Sequence, residues 1–201
     1  MLKKTCHWIL LLLVFLVVLA GCGTKVTRMD VAEDKDLSGR WNDTDSRLVA
    51  EEMVTDCLAR PWLNQYSMET GKVPDVIVGR IANRSTEHIS TATFVKDLER
   101  SLLNSGRVSF VASADERTGV RAEREDQAEH AAKSTAKAPR QEAGADFMLI
   151  GSINSIVDRE EKRQVVFYQV DLELIDLVDN RKVWIGNKKI KKFIERSKFG
   201  Y

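Results

Sequence analysis

Residues 164–177 read QVVFYQVDLELIDL, and the order of residue types in this stretch decides the architecture. Tyr168, Val170, Leu172 and Leu174 alternate with Gln169, Asp171 and Glu173. Side chains on a strand point to opposite faces in turn, so the pattern predicts a strand with one dry face and one wet face. Strands of that kind belong to antiparallel sheets, since parallel sheets are covered on both sides. Asp179 and Asn180 mark a tight turn into KVWIGNKKI, residues 182–190, which completes a C-terminal hairpin.

Moving outward, ADFMLIGSINSIV (145–157) predicts another strand, with Asp146 before it read as a cap or turn residue rather than an acid catalyst. DVIVGRIAN (75–83) is dense in β-branched residues and predicts a strand; RVSFVA (107–112) predicts a shorter one. Between them, Phe94, Leu98 and Leu102 recur at i, i+4 and i+8, predicting a helix that Gly106 terminates. Leu48, Val49, Met53, Val54, Cys57 and Leu58 form one apolar face behind the cap candidates Asn42 to Asp45, and Pro61 is expected to end that helix. WLNQYSMETGKVP (62–74) reads as a loop. Ser113 to Glu116 matches a capping box and opens a polar, Ala-rich segment reaching about Glu142, weakened as a helix by Gly119 and Pro139. Its charge run reads as a solvated face. The expected fold class is α+β: one small domain with a mostly antiparallel sheet of four to five strands, flanked by helices.

The N-terminus differs in kind. Lys3 and Lys4 precede an apolar run from Trp8 to Ala20, 13 residues. As a helix it would span roughly 20 Å, short of a ~30 Å hydrocarbon core. A basic start, a compact apolar run and small residues at its end describe a secretory signal peptide. The competing reading is an uncleaved membrane helix over the uncharged residues 5–24. Leu19-Ala20-Gly21-Cys22 resembles the lipobox of bacterial lipoproteins, in which the cysteine is lipidated and becomes the first mature residue. That resemblance implies a signal peptide over 1–21, lipidation at Cys22, and a flexible tether over 22–41 ahead of a globular domain over 42–201. Gly23 points to the outer membrane, because aspartate after the lipidated cysteine commonly signals retention in the inner one.

Removing 1–21 takes away two lysines, leaving 29 basic against 30 acidic residues, a formal balance of −1 before histidine or the terminus. That balance gives no footprint for nucleic acid. Cys57 would be the one remaining thiol, read as a buried core group. His88 and His130 lie in polar segments, and no zinc, nucleophile-elbow or phosphate-loop motif is present, so no catalytic residue, metal, cofactor or small-molecule substrate is expected. The tail KKIKKFIERSK (188–198) admits two readings, a contact for anionic lipid or an acidic partner, and a lysine-protected edge strand.

Three stretches together, residues 75–112, 144–156 and 174–186, resemble the LpoB family of lipoprotein activators of penicillin-binding proteins. The similarity runs from about Leu37 to Lys192. Its most specific pieces are Asn83-Arg84-Ser85, Gly144-Ala145-Asp146 and Lys182-Val183-Trp184. The resemblance implies a non-catalytic outer-membrane lipoprotein, on the periplasmic side, that binds and activates a class A penicillin-binding protein, a bifunctional peptidoglycan synthase. It places Asn83, Arg84, Ser85 and Trp184 as partner-binding candidates. Arg84 has the competing role of a turn arginine with local hydrogen bonds, and Trp184 that of a core residue. Related curli-secretion-like and Tol-like lipoproteins share parts of the pattern, which keeps open a subunit or chaperone of an envelope secretion or assembly complex. The family's long Pro-rich tether is missing here: about 20 residues separate Cys22 from the domain, and Pro61, Pro74 and Pro139 all lie outside them.

Overall fold

The computed structural model describes residues 26–30, 33, 36–137 and 142–196. The signal segment and Cys22 lie outside these residues. Helix α1 (Asp43–Leu58) opens on a reciprocal cap: Asp45 N donates to the Asn42 side chain at 2.9 Å, and Asn42 N donates to the Asp45 carboxylate at 3.0 Å. Both groups are orphans of the first turn, so each satisfies the other. The expected apolar face is buried, with Val49 and Ala50 fully enclosed; Leu48 is the exception at 46 % exposed.

Residues read as a loop form helix α2 (Pro61–Thr70) instead. Pro61 does end α1, but it also sits at the first helical position of α2, where its missing N–H would have had no partner anyway. Gly71 closes α2 in the left-handed region, φ +68°. Trp62 and Leu63 are thereby turned inward, and the Trp62 ring meets Phe147 edge-on at 4.9 Å.

Strand β1 (Asp75–Arg84) leads to helix α3 (Thr91–Asn104), whose Phe94, Leu98 and Leu102 are buried as their spacing predicts. The strand expected over 107–112 shrinks to β2 (Ser109–Phe110), which pairs with Asp75 and Val76 alone. Helix α4 (Ala114–His130) carries the predicted capping box and runs unbroken through Gly119, with no residue buried. Strands β3 (Phe147–Glu160), β4 (Arg163–Asp176) and β5 (Lys182–Glu195) follow.

The sheet order is β2–β1–β3–β4–β5. It is mixed: β1 pairs in parallel with β2 and β3, while the long β3–β4 and β4–β5 ladders are antiparallel. Asn180, at φ +63°, makes the turn between β4 and β5. The dry face of β4 (Val166, Tyr168, Val170, Leu172, Leu174) joins Val76, Val78, Ile81, Leu149 and Ile153 beneath α1 and α3 in a single core. Cys57 belongs to that core; burial pushes its thiol up to about 12.

Part of the stretch expected as tether lies on the domain. The Trp41 ring meets Phe94 edge-on at 6.2 Å and Tyr168 at 5.6 Å. Lys192 of β5 reaches Asp45 at 2.6 Å, Asp36 at 2.9 Å and the Arg40 carbonyl at 3.2 Å. Gly39, at φ +68°, lies so close to the Ile194 side chain that no Cβ would fit. Among the described residues, 36–41 are therefore a docked arm.

Candidate partner-binding surface

The loop after β1 is built by its own short polar side chains. Asn83 Oδ1 accepts from Ser85 N at 3.0 Å and from Ser85 Oγ at 2.7 Å, while Asn83 Nδ2 donates to the Glu87 carbonyl at 2.8 Å. Asparagine mimics a backbone turn in this way, which is why it suits the position. Thr86 N donates to Ser155 Oγ on β3 at 3.0 Å. Glu87 fastens the loop to the domain: its carboxylate accepts from Tyr168 Oη at 2.7 Å and from Trp41 N at 3.1 Å. Burial, and then the Glu87 carboxylate beside it, hold the Tyr168 phenol well above the usual tyrosine range. Asn83 and Ser85 thus shape the loop.

Arg84 does not. Its side chain is exposed and makes no hydrogen bond or ion pair among the described residues, so the local hydrogen-bonding role is not realised. In the sheet, Arg84 pairs with Asn154, Asn154 with Gln169, and Gln169 with Lys189. Residues directly opposite in a ladder share a face, which places Arg84 and Lys189 at two ends of one polar row. The next row along β3–β5 is Ile156, Phe167 and Lys191. These rows lie on the face away from α1 and α3. Ile156 is 66 % exposed and Phe193 63 %, so apolar surface adjoins the cations.

The tail 188–198 resolves by strand alternation up to Glu195. Lys188 and Lys192 turn toward α1 and the arm, where Lys188 pairs with Glu52 and Lys192 with Asp45 and Asp36. Lys189 and Lys191 face the opposite way, exposed and without an ion pair among the described residues. β5 is the edge strand of the sheet, and its lysines divide between structural pairs and the open face.

Trp184 belongs with the core residues. It is 5 % exposed, and its indole N–H donates to Asp56 of α1 at 2.8 Å. That hydrogen bond, followed by the one from Arg60, lowers the Asp56 carboxyl below its ordinary value. Asp146 is a joint: it accepts from Tyr66 Oη at 2.7 Å and Asp75 N at 2.8 Å, tying α2, β1 and β3 together. Burial and then Asp146 push Tyr66 up to about 12. Among the described residues no group of histidines, cysteines and carboxylates is arranged to hold a metal, and no helix is long and apolar enough to cross a membrane.

A family model described as peptidoglycan-synthase activator LpoB matches residues 45–190. The chain belongs to this family. The match covers α1 through most of β5 and includes the β1–α3 loop. No curated protein matches the chain in sequence. Among solved structures, the LpoB C-terminal domain from Escherichia coli is similar at 14 % identity and TM-score 0.46, covering 74 % of this chain and 99 % of that one. The NMR structure of E. coli LpoB is similar at 13 % identity and TM-score 0.41, covering 89 % and 84 %. Lipoprotein GNA1162 from Neisseria meningitidis is similar at 17 % identity and TM-score 0.39, covering 60 % and 83 %. LpoB is described as a family of peptidoglycan-synthase activators.

Among the residues carried by the LpoB resemblance, Asn83, Arg84 and Ser85 lie together where β1 runs into its loop, while Trp184 lies apart in the core. Sequence reasoning missed Lys189 and Lys191 as companions of Arg84. Strand alternation in KKIKK would have separated them from Lys188 and Lys192, once the tail was read as strand.

Proposed function

We propose that the domain binds a class A penicillin-binding protein through its open sheet face, with Arg84 as the leading contact, and activates glycan polymerisation without catalysing it. The observation that carries this reading is the unpaired Arg84 guanidinium at the end of β1, beside a loop whose Asn83, Ser85, Thr86 and Glu87 groups are already hydrogen-bonded within the domain. A guanidinium offers bidentate geometry to a carboxylate, and a loop already ordered loses little entropy on docking. Lys189 and Lys191 add two exposed cations to the same face, suited to carboxylates on the synthase. Lipidation at Cys22 would hold the protein at the outer membrane, on the periplasmic side.

The docked arm shortens the tether. Residues 22–35, fourteen positions, span at most roughly 50 Å when fully extended. The synthase must therefore project close to the membrane that anchors the domain. This short reach favours, as the second reading, a subunit or chaperone of an envelope secretion or assembly complex working beside its own membrane. A pull-down with purified class A synthases and a glycan-polymerisation assay decide between the two. Arg84→Ala is expected to weaken synthase binding at least ten-fold while moving Tm by no more than about 1 °C, as for other exposed side chains without partners. Absence of binding and stimulation by the wild type, with secretion components recovered instead, would overturn the activator reading.

A further inference from the structure

Helix α4 buries no residue, yet one stripe of it is chemically unusual. Arg117, Arg121 and Arg124 stand at i, i+4 and i+7, one face of a helix, and all three converge on Glu142. Arg121 takes the carboxylate in a fork, Nε to Oε1 at 2.9 Å and Nη2 to Oε2 at 2.8 Å. Arg124 Nη1 adds a bond to Oε1 at 3.2 Å. Oε1 thus accepts two bonds and Oε2 one, all from Arg121 and Arg124. Arg117 comes no nearer than 4.0 Å, its side chain is 28 % exposed, and its Nε is out of solvent with no acceptor among the described residues. An N–H withdrawn from water ordinarily finds an acceptor, and a specific unsatisfied one asks for an explanation.

For these four side chains alone, three guanidiniums face one carboxylate, a balance of +2; the helix also carries Asp115, Glu116, Glu123, Glu125, Asp126 and Glu129. The Arg121–Glu142 fork is a neutral pair, so the surplus of the stripe lies on Arg117 and Arg124, which approach Glu142 at 4.0 and 3.2 Å. A carboxylate would neutralise half of that surplus. A phosphate monoester carries about −1.5 to −2 at neutral pH and three acceptor oxygens, enough for both guanidiniums at once.

We propose that the Arg117–Arg121–Arg124 stripe, with Glu142 seated on Arg121, is a binding site for a phosphate monoester dianion. The chemistry is shared by a soluble phosphate ester and by a phosphorylated lipid headgroup. Glu142 acts as a built-in competitor: it aligns the stripe and also repels the second anion, which keeps the site weak and exchangeable.

The test is a titration of the full chain with inorganic phosphate at neutral pH, ionic strength held constant with chloride, following the arginine Nε–Hε resonances. Saturable shifts centred on Arg117 and Arg124 are expected. Arg117→Gln should abolish saturation, Arg117→Lys should retain part of it, and Glu142→Gln should tighten binding roughly ten-fold by removing a like charge at contact range. A parallel sedimentation arm compares phosphatidylcholine vesicles with and without phosphatidic acid, for wild type and Arg117→Gln. Saturation by phosphate without a vesicle response supports the soluble source. Dependence on phosphatidic acid that Arg117→Gln removes supports the lipid source. Shifts that never saturate, or that Arg117→Gln leaves unchanged, overturn the proposal, as does occupancy by an acidic peptide with no response to phosphate in either arm.

Discussion

Replacing Lys192 by methionine tests the claim that the arm, α1 and β5 are locked by one buried cation. The Lys192 side chain is 11 % exposed and that of Asp45 is 9 %, so their 2.6 Å contact is largely shielded from water and salt. Burial pulls the Lys192 ammonium down, but Asp45 and Asp36 outweigh it and leave the group above its usual value. Methionine keeps the apolar stem and removes the charge, leaving Asp45 buried with the Asn42 N–H as its remaining hydrogen bond. Breaking one side of a buried pair costs about 3–5 kcal/mol, and the surviving cap bond reduces this to roughly 2–4 kcal/mol. For a domain of this size the loss corresponds to a fall in Tm of about 5–12 °C. Urea denaturation of wild type, Lys192→Met, Asp45→Asn and the double variant closes the cycle, with a coupling of roughly 1–3 kcal/mol expected. The sign with pH is fixed as well. A raised cation stabilises fully below its unfolded value near 10.4 and loses that contribution as pH rises through the higher folded value. Additive single variants, or a loss below about 1 kcal/mol for Lys192→Met, would refute the lock.

Gly39→Ala is expected to destabilise by at least about 1–2 kcal/mol, since alanine is strained at φ +68° and its Cβ meets Ile194; limited proteolysis should then cut near residues 36–41, and an unchanged digest would contradict the docked arm. Trp184→Phe removes the bond to Asp56 and should cost about 1–2 kcal/mol near neutral pH. Because the Asp56 carboxyl is lowered when folded, its contribution is present above the unfolded value and lost as pH falls through the folded one. The gap between wild type and Trp184→Phe should therefore narrow in acid, and a gap that widens below the ordinary aspartate range would disprove the assignment. The Cys57 thiol, pushed up to about 12, should resist iodoacetamide in the native protein at mildly alkaline pH and react once unfolded in urea, as mass spectrometry will show.

The elements that periodicity carries were legible in the chain: the alternation of 164–177, the i, i+4, i+8 pattern of α3, the cap candidates from Asn42 to Asp45, the capping box at Ser113, and the stop at Gly106. Each depends on neighbours within a few residues, and local spacing is what a sequence displays. Helix α2 was misread because Pro61 both ends one helix and begins the next, and a proline alone does not say which. Arg84 could be singled out from its motif. That Asn83 and Ser85 spend their polar groups on the loop, and that Trp184 turns inward to Asp56, depend on partners 2 to 128 positions away. The parallel placement of β1 beside β3, the division of the β5 lysines between two faces, and the convergence of Arg117, Arg121 and Arg124 on Glu142 likewise follow from register and chain return. Sequence by itself determined what each segment can be. Tertiary structure decided which charges are neutralised and which are left for a partner, because pairing over long separations is set by the packed core.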